Sequence, residues 1–264
     1  MRLIEELDTM SARTIRFVLM DIDDTMTTDG KLPAASYEAL WRLHDAGLHA
    51  VPITGRPAGW CDLIARQWPV AGVVGENGAL AFWEEEGKLR RLFHERAVRN
   101  DHPSLQKISR RVLEAVPGCR IAHDQASRLF DIAIDFAEEE PFLPLSDAQR
   151  IKAICEEEGA VAKISSIHVN TWMGRYDKLS MAVRLLAYRF SYDDVLHNDS
   201  VMFFGDSPND EPMFRHFPCS VGVANVRHYG QMMTHWPAYV TVGDGGQGFA
   251  EGVRVLLDKR RQIV

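Results

Sequence analysis

Three aspartates crowd four positions of the segment RFVLMDIDDTMTTDG (16–30), directly after an apolar run. Aspartates at the end of a strand ordinarily cap a turn. The alternative for Asp21, Asp23 and Asp24 is a cation that shares them. Magnesium suits such a place, because it prefers hard oxygen ligands and keeps several of its waters, so two or three carboxylates suffice. Three further groups with chemical capacity follow along the chain: Thr54 in ITGR, Lys178 in GRYDKLSM, and Asp206, Asn209 and Asp210 in GDSPND.

The elements that position these groups are legible in the apolar pattern. IRFVLM (15–20), HAVPIT (49–54), AGVVG (71–75), SVMFFG (200–205) and CSVGVA (219–224) read as buried parallel strands. Between the first two, Tyr37, Leu40, Trp41 and His44 recur at helical spacing, and Gly47 is placed to end that helix. KLSMAVRLLAYRF (178–190) sets Leu179, Ala182, Val183 and Leu186 on one helical face. Strand and helix in alternation predict an α/β fold with a doubly wound parallel sheet. In such sheets ligands gather beyond the carboxyl ends of the strands, where Asp21, Thr54 and Asp206 fall.

The middle of the chain has a different period. In RLFDIAIDF (128–136), Phe130, Ile132, Ile134 and Phe136 alternate with Asp131 and Asp135, which predicts a half-exposed antiparallel strand. HPSLQKISRRVLEAV reads as an amphipathic helix through Leu105, Ile108, Val112 and Val116. A second helix is expected to start at Ser146, with Gln149 as its capping-box partner, and to end near Gly159. ISSIHVNTW (164–172) alternates again. The expectation is an α+β module over 85–172, inserted into a core formed by 1–84 and 173–264. The basic series from Arg90 to Arg111 and the acidic groups at 138–140 and 156–158 read as solvated faces and turns of that module, with an anion-guiding role for some of the arginines as the alternative.

Bulk properties narrow the function classes. The 264 residues are 46% hydrophobic and 25% charged, as in an ordinary globular protein. A net charge of -7 and a pI near 5.8 argue against nucleic-acid or anionic-membrane partners. No apolar run approaches the roughly 20 residues needed to cross a bilayer. The opening MRLIEELDTMSART lacks the apolar core of a secretory signal, so a cytoplasmic location is expected. Cys61, Cys119, Cys155 and Cys219 lie far apart, which predicts reduced, packed thiols in place of a zinc cluster or disulfide framework.

The ordered set of DIDDT, ITGR, Lys178 and GDSPND resembles the four motifs of the haloacid dehalogenase (HAD) superfamily, and the resemblance runs from about Arg16 to the C-terminal helix. GENGA (75–79), GDSPNDEPMF (205–214) and the length of the insertion are similar to the C2-capped subfamily IIB, the subgroup of sucrose-phosphate phosphatase, trehalose-phosphate phosphatase and phosphomannomutase. The resemblance implies a Rossmann-like core with an inserted C2-type cap, magnesium as cofactor and a small phosphate ester as substrate. It implies Asp21 as the nucleophile that forms an aspartyl-phosphate, and Asp23 as general acid and base. Metal ligands would be the Asp21 side chain, the Asp23 main-chain carbonyl and Asp206. Asn209 and Asp210 would stand behind them. Thr54, Gly55 and Lys178 would hold the phosphoryl group.

The chemistry agrees with that set. Phosphate monoesters hydrolyse extremely slowly in water, and a carboxylate approaching an anionic phosphate is repelled unless cations lie between them. Candidate substrate contacts are Arg56, Asn77 and the alternating face His168, Asn170 and Trp172, where an indole beside hydrogen-bonding groups suits a sugar ring. The other reading makes Trp172 a plug at the hinge between the modules, His168 a packing residue and Arg56 half of a structural pair. The expected function is therefore hydrolysis of a small phosphorylated metabolite, a sugar phosphate first among them, by a monomer or small homo-oligomer. A phosphomutase of the same family is the alternative. A phosphate-responsive signalling module also groups aspartates, a hydroxyl and a lysine, but such modules are much shorter and need no counterpart of Asp23.

Overall fold

A computed structural model describes residues 1–165, 167–230 and 232–262. The chain opens with β1 (Arg2–Leu3), α1 (Thr9–Thr14), β2 (Phe17–Met20), α2 (Ala34–Asp45), β3 (His49–Pro52), α3 (Ala58–Gln67) and β4 (Val73–Gly75). There follow β5 (Leu80–Glu85), β6 (Lys88–Phe93), α4 (Pro103–Ala115), β7 (Arg120–Ile121), β8 (Asp131–Asp135), α5 (Leu145–Glu157), β9 (Val161–Ile164) and β10 (His168–Trp172). The last third holds α6 (Lys178–Phe190), β11 (Val201–Gly205), α7 (Glu211–His216), β12 (Cys219–Gly222), β13 (Tyr239–Val240) and α8 (Gly245–Arg261).

A six-stranded parallel sheet, in the order β1-β13-β12-β11-β2-β3, forms the core. Its central strands read as unbroken apolar runs because both faces are covered. Along β2, Val18 and Met20 enter one hydrophobic cluster with α2, α3 and α8, while Phe17 and Leu19 enter the other with α6 and α7. β11 divides its side chains in the same way, with Met202 and Phe204 on one side and Val201 and Phe203 on the other. The doubly wound expectation holds.

The inserted segment builds a separate antiparallel sheet, β7-β8-β10-β9, covered by α4 and α5 over a third cluster that includes Leu105, Ile108, Val112, Ile132, Ile134 and Ile151. Lys107 and Arg111 meet Glu157 and Glu158 on its surface, so those charges sit on solvated faces. All four cysteines are free thiols. Among the described residues, no helix is long and apolar enough to cross a membrane.

Four expectations need correction. AGVVG is not a regular member of the parallel sheet: β4 pairs antiparallel with β5, and its parallel link to the core is the bridge Ile53–Val74. The buried face of α2 is Ser36, Ala39, Leu40 and Leu43, which leaves Trp41 and His44 exposed. Small residues at 36 and 39 let that helix approach α8, so size decided the face over hydrophobicity. α5 begins at Leu145 after Pro144 without a side-chain cap, so the Ser146–Gln149 box is absent. Finally, all five residues of β8 are buried, so the aspartate face of that strand meets protein and not water.

Candidate active site

The ends of β2 and β11 are neighbours, locked by the Asp21 N–H donating to the Phe204 carbonyl at 2.9 Å. This places Asp21 and Asp206 side by side. Carboxylate oxygens of Asp21, Asp206 and Asp210 all lie within 4.8 Å of one another, and all three residues are buried. Asp210 is drawn in because its Oδ2 accepts from the Asp206 N–H at 3.1 Å. Gly205 makes room for it, since a Cβ there would stand 2.6 Å from that oxygen.

Lys178 faces the acids from the first turn of α6. Asp177 caps this helix by accepting from the Ser180 N–H at 2.8 Å. Gly78, at φ +105°, packs so closely on the Asp177 carbonyl that a Cβ would sit 2.0 Å from it, which fixes the helix start against the GENGA loop. From there Lys178 Nζ donates to Asp21 at 2.7 Å, Asp210 at 3.3 Å and Asn209 at 3.4 Å. Burial works against the ammonium, but the Asp21 and Asp210 charges outweigh it and raise its pKa.

One ammonium does not balance three carboxylates. Burial, reinforced by Asp210 and Asp23, pushes Asp21 up to about 7 despite Lys178. Burial and the neighbouring Asp210 and Asp21 hold Asp206 well above the usual carboxylate range. Hard oxygen donors with excess negative charge fit a divalent metal cation, which would relieve both shifts.

Thr54 ends the path of β3, and its Oγ1 accepts from the Arg56 N–H at 3.0 Å. Arg56 turns back over Asp23 and grips its carboxylate through Nε (3.1 Å) and Nη2 (2.8 Å), with Glu138 at 3.8 Å on its other side. Asp21, Asp23, Gly55, Arg56, Lys178 and Asp206 floor a cavity of about 430 Å³, whereas Thr54 is buried and does not line it. The far side of the cavity is made by Phe136, Leu145, Ile164 and Ile167 of the inserted module, with Gln149, Lys163 and Ser165 among them.

Of the candidate substrate residues, Arg56, Asn77, His168 and Asn170 line the cavity. His168 Nε2 is paired with Glu138 at 2.8 Å, and the Asn77 and Asn170 amides both donate to Asp131 at 3.3 and 3.2 Å. Trp172 does not line the cavity. It is buried at 1% exposure in the core cluster and stacks on Tyr176, because it stands where the chain returns to the core. Trp172 is thus a packing residue at the hinge, and it offers no indole platform for a sugar on this wall.

A buried network that sequence reasoning missed joins the two layers. Glu76, wholly buried, accepts from Ala58 N and Leu129 N on Oε1 and from Phe130 N and Asp131 N on Oε2, at 2.7–3.2 Å. Glu76 and Asn77 both have positive φ (45° and 57°), a conformation that costs of the order of 1–3 kcal/mol each and that these bonds hold in place. Burial first, and then Asp131, raise the Glu76 carboxyl to about 7. The only signal in the sequence was the acid between two glycines in GENGA. Each Glu76 oxygen receives two N–H donors, so neither orientation of a glutamine satisfies them. Glu76→Gln is expected to lower stability by about 2–4 kcal/mol in chemical denaturation.

No family profile matches the sequence, and no curated protein matches it. Solved structures do. A protein from Thermoplasma acidophilum superposes with a TM-score of 0.70 at 18% identity, covering 92% of this chain and 98% of its own. A Plasmodium vivax protein described as a HAD/COF-like hydrolase gives 0.71 at 16% identity, covering 97% and 99%. The chain has the HAD fold. A HAD subclass IIB sugar phosphatase also matches, at a TM-score of 0.62 and 14% identity over 91% of this chain and 98% of that one. The likeness in fold spans nearly the whole chain.

Proposed function

We propose that the protein is a Mg²⁺-dependent phosphatase of a small phosphorylated metabolite, with sugar phosphates as the leading substrate class. The observation that carries this reading is the convergence of Asp21, Asp206 and Lys178 on the floor of a cavity roofed by the cap, with Asp210 buried directly behind them. Magnesium, held by the Asp21 and Asp206 carboxylates with the Asp23 main-chain carbonyl and backed by Asp210, would neutralise phosphoryl oxygens. Asp21 attacks phosphorus as the bond to the leaving oxygen breaks. Asp23 gives that oxygen its proton, then takes one from the water that opens the aspartyl-phosphate and restores Asp21. Lys178, the Thr54 hydroxyl and the Gly55 N–H hold the phosphoryl oxygens. Arg56 must release Asp23 for these transfers, since it occupies that carboxylate in the present state.

The cap wall supports a small leaving group with both apolar and polar faces, as a sugar ring has. The fold neighbour described as a sugar phosphatase points the same way. Phosphate release from p-nitrophenyl phosphate and a panel of sugar phosphates tests the reading. Turnover with magnesium, abolished by a chelator and restored by added Mg²⁺, is the expected result. Absence of turnover across the panel would overturn it. Conversion of a hexose 1-phosphate to the 6-phosphate with little free phosphate would identify a mutase instead.

A further inference from the structure

We propose that Arg128 is a positioning residue for phosphoryl transfer: reaching from the cap, it completes the tethering of the core loop Thr54–Gly55–Arg56, so that the loop is fully set only while the cap is seated. This rests on the phosphatase reading. The three consecutive carbonyls of the loop are each bonded. Thr54 O accepts from Asn77 N at 3.2 Å, and Arg56 O from Glu76 N at 3.1 Å. Both donors belong to the GENGA loop of the core. The middle carbonyl, Gly55 O, accepts from Arg128 Nη1 at 3.0 Å, a bond between residues 73 positions apart. These bonds draw the carbonyl dipoles to partners of their own at the point where an anionic phosphoryl group must lie.

Arg128 is built for that task. Its side chain is 1% exposed. Nε and Nη2 grip Asp124 at 2.9 Å each, and Nη1 also donates to both oxygens of Asp131, at 3.0 and 3.1 Å. Asp131 Oδ2 in turn receives the amides of Asn77 and Asn170. The network closes on itself, because Asn77 also supplies the main-chain donor to Thr54. A planar guanidinium with five donors can serve two carboxylates and a carbonyl at once, which the single nitrogen of lysine cannot. A guanidinium so committed sets the loop, although it also lines the cavity.

The test uses the full chain with Mg²⁺: kinetics of wild type, Arg128→Lys, Arg128→Met and Asp124→Asn on p-nitrophenyl phosphate and on a sugar phosphate that the wild type hydrolyses. Inhibition by inorganic phosphate and thermal unfolding are measured in parallel. Misplacing a phosphate-holding loop should lower kcat by a similar factor on both esters, about 10- to 100-fold for the Arg128 variants. The inhibition constant for phosphate should rise about tenfold, and Asp124→Asn should show a smaller loss in the same direction. Should Arg128→Met fail to fold, the lysine and Asp124 variants decide. Wild-type kinetics in both would overturn the proposal. So would a rise in KM for one ester alone with unchanged phosphate inhibition, which would make Arg128 a leaving-group contact. If the wild type hydrolyses no ester, the phosphatase reading has failed, and calorimetry with inorganic phosphate decides this proposal separately. Weaker binding by Arg128→Lys supports it; equal binding, or none by the wild type, overturns it.

Discussion

Asp21→Asn is expected to reduce phosphate release at least about 10⁴-fold and, at the same time, to stabilise the metal-free protein. The first effect follows from removing the nucleophile of a covalent route, for which residual catalysis comes only from binding and electrostatics. The second follows from the crowding of charge. Folded Asp21 holds its proton up to about 7, chiefly because it is buried, against an ordinary 3.8. Between those values the folded state binds the proton and the unfolded chain does not, so metal-free stability falls as pH rises from about 4 to 7. Asparagine has no such proton to lose. In the presence of a chelator at pH 8, the variant should melt above the wild type, and its stability should decline less steeply with pH. A variant that melts below the wild type under those conditions would show that Asp21 is satisfied by Lys178 alone.

Lys178→Met is expected to act in the opposite direction on stability. The ammonium holds Asp21 at 2.7 Å and Asp210 at 3.3 Å in a buried setting, and removing it leaves three carboxylates facing one another. Breaking a buried pair from one side costs about 3–5 kcal/mol. Denaturant unfolding in chelator should therefore show a loss of that size. Magnesium should recover part of it by taking over the charge compensation. Phosphate release should fall at least about 10²-fold, since a fixed positive charge has been taken from the phosphoryl oxygens. Unchanged stability would mean that the acids are held neutral, and the metal reading would lose its basis. The double variant Asp21→Asn with Lys178→Met should be more stable than Lys178→Met alone, because the two changes share one interaction.

How far the chain could be read from its residues depended on the range of the interaction involved. The six-stranded core was legible at β2, β3, β11 and β12 because strands covered on both faces must be apolar throughout. A carboxylate cannot interrupt such a strand cheaply, so Asp21 and Asp206 had to follow the runs FVLM and VMFFG and mark their carboxyl ends. Lys178 was likewise placed by a local signal, the helical period of KLSMAVRLLAYRF; the Asp177 cap that fixes the start of α6 became apparent in the structure. These determinants act within a few residues, and sequence order preserves them.

Only the tertiary structure decided what the cap side chains do. Asp131 and Asp135 alternate with apolar residues as solvent-facing groups would, yet both are buried and paired: Arg120 on β7 holds Asp135, while Asn170 on β10 and Arg128, just before β8, hold Asp131. Glu76 finds three of its four donors at Leu129, Phe130 and Asp131, more than fifty residues along the chain. Trp172 shares an alternating face with His168 and Asn170 but lies where the strand re-enters the core, so its indole packs on Tyr176 and the other two reach the cavity. Burial of a polar group depends on which residues of other strands and loops come to lie beside it, and long-range packing makes that choice, not the period of one strand.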